Sequence, residues 1–276
     1  RVAPWGMSTT GTLHRPPRRP GLILGLLALS QVGVAWLWWR FGWAIGLPAM
    51  LATHLPVVWA TLYPRATLFC PALSRLPTDE RVVWLTIDDG PSGDTAAMLD
   101  LLDRHGAKAT FFLVGERALA QPAMVQAIRD RGHGIGNHSA THPDTRFWRL
   151  GPGAMEDEIG RSQSLLTAIT GETPRWYRSV VGMTNPFVGL SLKRHGLARV
   201  AWSARGFDGV DCQPDKVLAR ITRDIEPGAI VLLHEGAAHG HNVAILAQLL
   251  AWLEAQGYRT VLPESDTAPV AAIAAA

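Results

Sequence analysis

The chain has 276 residues, a formal net charge of +3 and only two cysteines. That length admits one sizeable domain with an appendage or two small domains, and either can fold without cross-links. Cys70 and Cys212 lie far apart with no C-x-x-C spacing, which argues against a disulfide framework or a thiolate zinc site. The positive charge comes from scattered Arg rather than a basic run, so no nucleic-acid partner is expected. Hydrophobic residues make up 47% of the chain with a mean hydropathy of +0.09, and the excess lies in the first quarter, which points to lipid there.

Residues 1–19 form a basic N-terminal tail, with Met7 a candidate initiator. Residues 21–39 carry no charge and, at about 1.5 Å of rise per residue, are long enough to cross a bilayer core. A second uncharged stretch, residues 43–63, contains Pro48, Pro56 and His54. Between them Arg40, Phe41 and Gly42 are flanked by Trp36, Trp38, Trp39 and Trp43, and such aromatic clusters favour the membrane–water interface. Residues 20–64 are therefore expected to form a transmembrane helical hairpin with membrane lipid as partner, in a bacterial-type inner membrane. A cleaved signal peptide fits less well, because the apolar run exceeds a typical h-region and no small-residue cleavage site precedes polar sequence. Arg15, Arg18 and Arg19 precede the first span and only Arg40 lies in the turn, so the positive-inside rule puts the N-terminus on the cytoplasmic face. Two spans return the rest of the chain to that face.

Residues 65–80, rich in proline and mixed charge, read as a linker. Beyond it strand-like runs at 82–87, 109–114, 133–137, 176–181, 198–203, 229–234 and 258–262 alternate with helical periodicity at 95–105, 122–131, 156–170, 190–195, 215–225 and 243–256. Repeated β-then-α units imply a parallel sheet with helices outside, closed as a barrel or open and doubly wound. Either way the chemistry gathers at the C-terminal ends of the strands. Residues 264–276 read as a disordered tail.

Asp88-Asp89-Gly90-Pro91 follows directly on the first soluble strand. Asp-Gly and Gly-Pro are turn signals, but two adjacent carboxylates at the mouth of an apolar core repel each other unless a cation lies beside them. His138-Ser139-Ala140-Thr141-His142 places two imidazoles four apart, which a helical turn would put on one face with chelate spacing. Unlike an H-E-x-x-H helix, this segment holds no internal base, so the base must come from elsewhere. Two His and one carboxylate leave an open position for water. Arg178 falls near the end of one strand and His234 at the end of another, on the same expected rim.

In order and spacing, TIDDGP (86–91), HSATH (138–142), the Arg178 segment and LLH (232–234) resemble the motifs of the NodB-homology polysaccharide deacetylases, the fourth carbohydrate esterase family. The resemblance implies a catalytic domain over residues 81–263, folded as a distorted, incompletely closed (β/α) barrel. It implies Asp88 as general base, Asp89, His138 and His142 as metal ligands, Arg178 as the group orienting the base, Leu232 in the acyl-methyl pocket, Trp202 at the substrate and His234 as general acid. Two motifs depart from the family pattern. Where the family reads R-P-P-Y-G, this chain has Arg178-Ser179-Val180-Val181-Gly182, and the Val181 N–H is left to hold the oxyanion. Where it reads D-x-x-D-W, this chain keeps Asp208, placed to orient His234, but has Arg205 and Gly209 at the other two positions.

The implied activity is metal-dependent removal of an acetyl or other N-acyl group from an amino sugar in a glycan. Zinc is the metal expected from ligand type, although cobalt, manganese and iron suit the same donors. One alternative is a deformylase or deacetylase of a lipid-linked amino sugar at the membrane. Another is a catalytically inactive carbohydrate-binding membrane protein, against which the intact Asp88, Asp89, His138, His142 and His234 argue, because folding does not demand that set.

Overall fold

The computed structural model describes residues 13–263. The expected tail at 264–276, Met7 and most of the basic N-terminal tail lie outside the described residues. In chain order the elements are α1 (Pro20–Phe41), α2 (Trp43–Leu62), β1 (Val82–Gly90), α3 (Thr95–Arg104), β2 (Ala109–Leu113), α4 (Gly115–Ala120), α5 (Pro122–Asp130) and β3 (Gly134–Asn137). There follow α6 (Pro152–Thr170), β4 (Trp176–Tyr177), α7 (Val188–Arg194), β5 (Ala198–Arg199), β6 (Ala204–Arg205), α8 (Pro214–Arg223), β7 (Ala229–His234), α9 (Asn242–Ala255) and β8 (Arg259–Thr260).

The strands form one sheet in the order β5-β4-β3-β2-β1-β7-β6, with β8 also pairing β1 at Val82 and Val83. Every pair is parallel. The curled sheet has β5 at one edge and β6 at the other, so it is the expected half-barrel rather than a closed one. β1 is central and buried over Val82–Asp88, as a parallel strand covered on both faces must be, which explains its unbroken apolar run. On one side of the sheet Ile87, Phe111, Val231 and the apolar residues of α3 and α9 form the main core. On the other, Trp84 packs edge-on to Trp176 and donates its indole N–H to Thr110 at 2.8 Å, so the two rings fill the barrel interior.

Several boundaries differ from the sequence expectation. The run at 176–181 pairs in the sheet only at Trp176 and Tyr177, and Val180–Gly182 turns in a short 3-10 helix with Val181 at φ 52° and Gly182 at φ +73°. The run at 198–203 forms a named strand only at Ala198–Arg199, where the carbonyls of Val200 and Ala201 beyond it turn to the Arg178 guanidinium, and β6 begins past its expected end at Ala204. α4 carries too few residues to show a period and was not expected. α6 begins at Pro152, four residues before the expected start, where proline suits the first turn of a helix.

The N-terminal helices lie antiparallel. Gly46 lets them approach, since a Cβ there would meet the Trp38 ring at 2.5 Å. α2 runs continuously through Pro48 and Pro56. Its end is tied to the barrel: Thr184 donates its N–H to the Thr61 carbonyl at 3.0 Å and its hydroxyl to the Ala60 carbonyl at 2.9 Å. The segment between α2 and β1 is laid on the barrel, with Phe69, Cys70 and Leu76 buried and bridges at Leu73–Val200 and Arg75–Ala229.

Candidate active site

The two carboxylates at the end of β1 face different partners. Asp88 is buried, and its Oδ1 accepts from Arg178 Nη1 at 2.9 Å. That guanidinium also donates to Thr86 Oγ1 at 2.6 Å and to the Ala201 carbonyl at 3.0 Å, and it lies 4.3 Å over the Phe112 ring. Burial pulls the Arg178 pKa down while the Asp88 charge pulls it back up, so the two form a fixed ion pair. Asp89, at φ 74°, turns the other way. Its Oδ1 lies 3.0 Å from His142 Nε2 and 3.3 Å from His138 Nε2.

His138 Nδ1 is 2.8 Å from the Arg178 carbonyl, and because a carbonyl only accepts, Nδ1 carries the proton. In the neutral ring Nε2 then presents a lone pair to Asp89. Asp89, His138 and His142 bring one ligand atom each within 4.8 Å of one another. Lone pairs so placed repel unless protons or a cation lie among them. With protons, burial opposes the Asp89 charge but the hydrogen bonds and charges of the two imidazoles outweigh it, holding the carboxyl well below its usual range. With a cation, an N,N,O set with an open side suits a zinc-class ion, so these residues fit the metal that the sequence implied.

HSATH is not the helical turn expected from its spacing. It is a loop with Ser139 at φ 68° and His142 at φ 56°, and the two imidazole centroids come to 5.1 Å by that path. Glu158 on α6 holds it, accepting from Ala140 N at 3.0 Å, Thr141 N at 2.9 Å and Thr141 Oγ1 at 2.6 Å.

At the end of β7, His234 is fixed twice by Asp208. The His234 N–H donates to Oδ2 at 2.6 Å, and Nδ1 lies 3.0 Å from Oδ1. Burial disfavours the imidazolium, but the Asp208 charge and hydrogen bond, with Asp88 and Asp89 behind them, push the His234 pKa up to about 9.

Asp88, Asp89, His138, His142, Val181, Trp202, Leu232 and His234 line one cavity of about 200 Å³, and Arg178 and Asp208 lie buried behind its walls. A larger cavity of about 340 Å³ beside His133 and Gly134 lies at the opposite, N-terminal end of β3 and, among the described residues, gathers no set of three metal-ligating groups. Gly182 beside Val181 also lines the first cavity, and so do Arg205, Phe207, Gly209 and Val210. Of the last four only Arg205 and Gly209 drew notice in the sequence, and as departures rather than as lining. Among the described residues the non-glycine positions at positive φ are Asp89, Ser139, His142, Val181 and Phe207, all at this cavity or next to a residue lining it. Backbone strain so concentrated is a mark of a functional site, and nothing in residue type announces it.

Residues 75–200 match the polysaccharide deacetylase family. A chitooligosaccharide deacetylase of Bradyrhizobium sp. (strain ANU 289) is 36% identical over 164 residues, which is 59% of this chain and 74% of the relative. The chain belongs to the polysaccharide deacetylases, carbohydrate esterase family 4. A peptidoglycan-N-acetylglucosamine deacetylase of Bacillus cereus is 32% identical over 191 residues, covering 68% of this chain and 88% of the relative. Among solved structures, a family 4 pseudoenzyme from Bacillus anthracis superposes with a TM-score of 0.62 at 28% identity, over 68% of this chain and 65% of that one. Family 4 thus includes a member without activity, and what this polysaccharide deacetylase can do turns on its own acids, bases and ligands.

Proposed function

We propose that the chain is a metal-dependent hydrolase that removes an acetyl or other short acyl group from the amide nitrogen of an amino sugar in a glycan. One observation carries the reading: a buried ion-paired carboxylate, an N,N,O ligand set and an aspartate-held histidine face one cavity. An inert carbohydrate-binding protein needs none of these.

Asp89, His138 and His142 would hold the metal, which when bound supplies Lewis-acid polarisation of the amide carbonyl and acidifies water. Asp88 takes the proton of the attacking water as general base. Arg178 keeps Asp88 aimed, since its fork is also tied to the carbonyls of Val200 and Ala201. Val181 lines the cavity and its N–H would donate to the developing oxyanion, while Leu232 and Trp202 would wall the acyl methyl. His234 protonates the departing nitrogen, and Asp208 keeps that proton on the ring until then. Acetate and a free amino sugar leave.

The membrane reading rests on α1 and α2. They are 22 and 20 residues long, with Leu22, Leu29, Val32, Trp39, Leu55 and Leu62 exposed, a surface that water does not favour. One observation favours a lipid-linked amino sugar over finished polymer: Pro64, two residues beyond α2, packs against Gly182, so the span ends beneath the Val181 rim of the cavity. The test is release of acetate and formate by the full chain in mild detergent from chitooligosaccharides, peptidoglycan fragments and lipid-linked amino sugars. Release from any of them supports the hydrolase, and release from the lipid-linked class above the rest supports the second reading. Metal-loaded protein inert on all of them contradicts both.

A further inference from the structure

Arg205 stands on β6 opposite Leu232, on the wall of the catalytic cavity. Its guanidinium carbon lies 3.7 Å over the centroid of the Phe207 ring and 5.4 Å from that of Trp202, so the charged head is seated against two aromatic rings. Nε is buried with no hydrogen-bond partner, and among the described residues the guanidinium makes no hydrogen bond or ion pair. The other cations near the cavity are matched. Arg178 is paired with Asp88, and Arg220, which also approaches Phe207, is paired with Asp211 at 2.7 Å. Asp208 is the carboxylate whose charge Arg205 feels, yet both Asp208 oxygens are already committed to His234. Half-burial disfavours the Arg205 charge without supplying an acceptor. A cation seated against two rings in a catalytic cavity, with its donors unspent, is an anion receptor waiting for its ligand.

The neighbouring wall leaves room for one. Gly209 has no side chain over His234, although a Cβ there would sit 3.5 Å from the ring in ordinary contact, and the adjacent Val210 is 83% exposed. The cavity is therefore open on the side between His234 and Arg205.

We propose that Arg205 makes this site selective for an acylamino sugar bearing an anionic group, a phosphate or a carboxylate, beside the amide to be cleaved. The proposal rests on the hydrolase reading above and names its substrate class. Arg205 is a specificity residue: it binds the anion and takes no part in moving protons.

The test uses the full chain in detergent with three substrates of one acyl group. They are an N-acetylglucosamine phosphodiester of a short isoprenoid alcohol, a glycoside of N-acetylmuramic acid, and neutral chitotetraose. Wild type is expected to favour one anionic substrate over the neutral one in kcat/KM, and Arg205→Gln to lower that ratio about tenfold or more, mainly through KM. Which anionic substrate shows the loss names the source as phosphate or carboxylate. Arg205→Lys, which keeps the charge but not the flat fork, should retain part of the preference. An anionic-to-neutral ratio that is unchanged in Arg205→Gln, including a fall of all three substrates together, assigns the residue to packing and overturns the proposal. If wild type cleaves none of the three, the hydrolase reading fails by itself. Calorimetric binding of N-acetylglucosamine 1-phosphate and N-acetylmuramic acid against N-acetylglucosamine then decides. Tighter binding of either anion that disappears in Arg205→Gln upholds the receptor, and equal binding of all three overturns it.

Discussion

His234 and Asp208 are 26 residues apart in sequence and joined by two hydrogen bonds, so the protonation of one depends on the charge of the other. The folded pKa of His234 is pushed up to about 9 from the 6.5 of an ordinary imidazole. Because the folded value exceeds the unfolded one, its contribution to stability is fully present below about 6.5 and is lost as pH rises through about 9. Activity that needs the imidazolium as acid should fall over the same basic limb. Asp208→Asn removes the anion that holds the proton, and the basic limb of kcat/KM against pH should move down by about one unit or more. A limb that stays in place in that variant would remove His234 as the acid. The five chemistry-bearing residues Asp88, Asp89, His138, His142 and His234 were legible in the sequence because acids and imidazoles at strand ends are costly and few. Arg205 was legible only as a departure, since its role depends on Phe207 and Trp202 closing over it and on Asp208 being spent elsewhere, facts of packing that no spacing encodes.

Among the elements, those with long periods were read nearly to the residue, as β7 was at 229–234. The two-residue strands β5 and β6 were not, because the Val200 and Ala201 carbonyls between them turn to the Arg178 guanidinium. The H-x-x-x-H spacing suggested a helix, and Glu158 imposes a loop by capturing two backbone N–H groups. For the apolar helices the physical question is direction. Arg15, Arg18 and Arg19 lie before α1 and Arg40 in its last turn, and both outer ends of the hairpin touch the barrel, Pro20 at Gly189 and Thr61 at Thr184. A two-span hairpin with the barrel on the cytoplasmic side is the arrangement the charge bias favours. A pair of reporters fused at the C-terminus, one active only in the cytoplasm and one only outside it, should show cytoplasmic activity alone. An active external reporter would instead put the barrel on the other face, beside finished cell-wall glycan.

At the scale of the whole molecule, the open half-barrel collects residues from β1, the β3–α6 loop, the turn after β4, β6 and β7 at one rim. Parallel topology alone forecast that rim, since strand C-terminal ends converge in any such sheet, and the tie between α2 and the barrel brings it next to the two apolar helices. The central claim is that the rim holds a metal with Asp89, His138 and His142 and takes its base from Asp88. Metal content and acyl release measured side by side on wild type, Asp88→Asn and His138→Ala test it most directly. The account predicts that Asp88→Asn keeps its metal while losing about a hundredfold or more in rate, and that His138→Ala loses metal and rate together. Full acyl release by wild-type protein verified to be free of metal would contradict it.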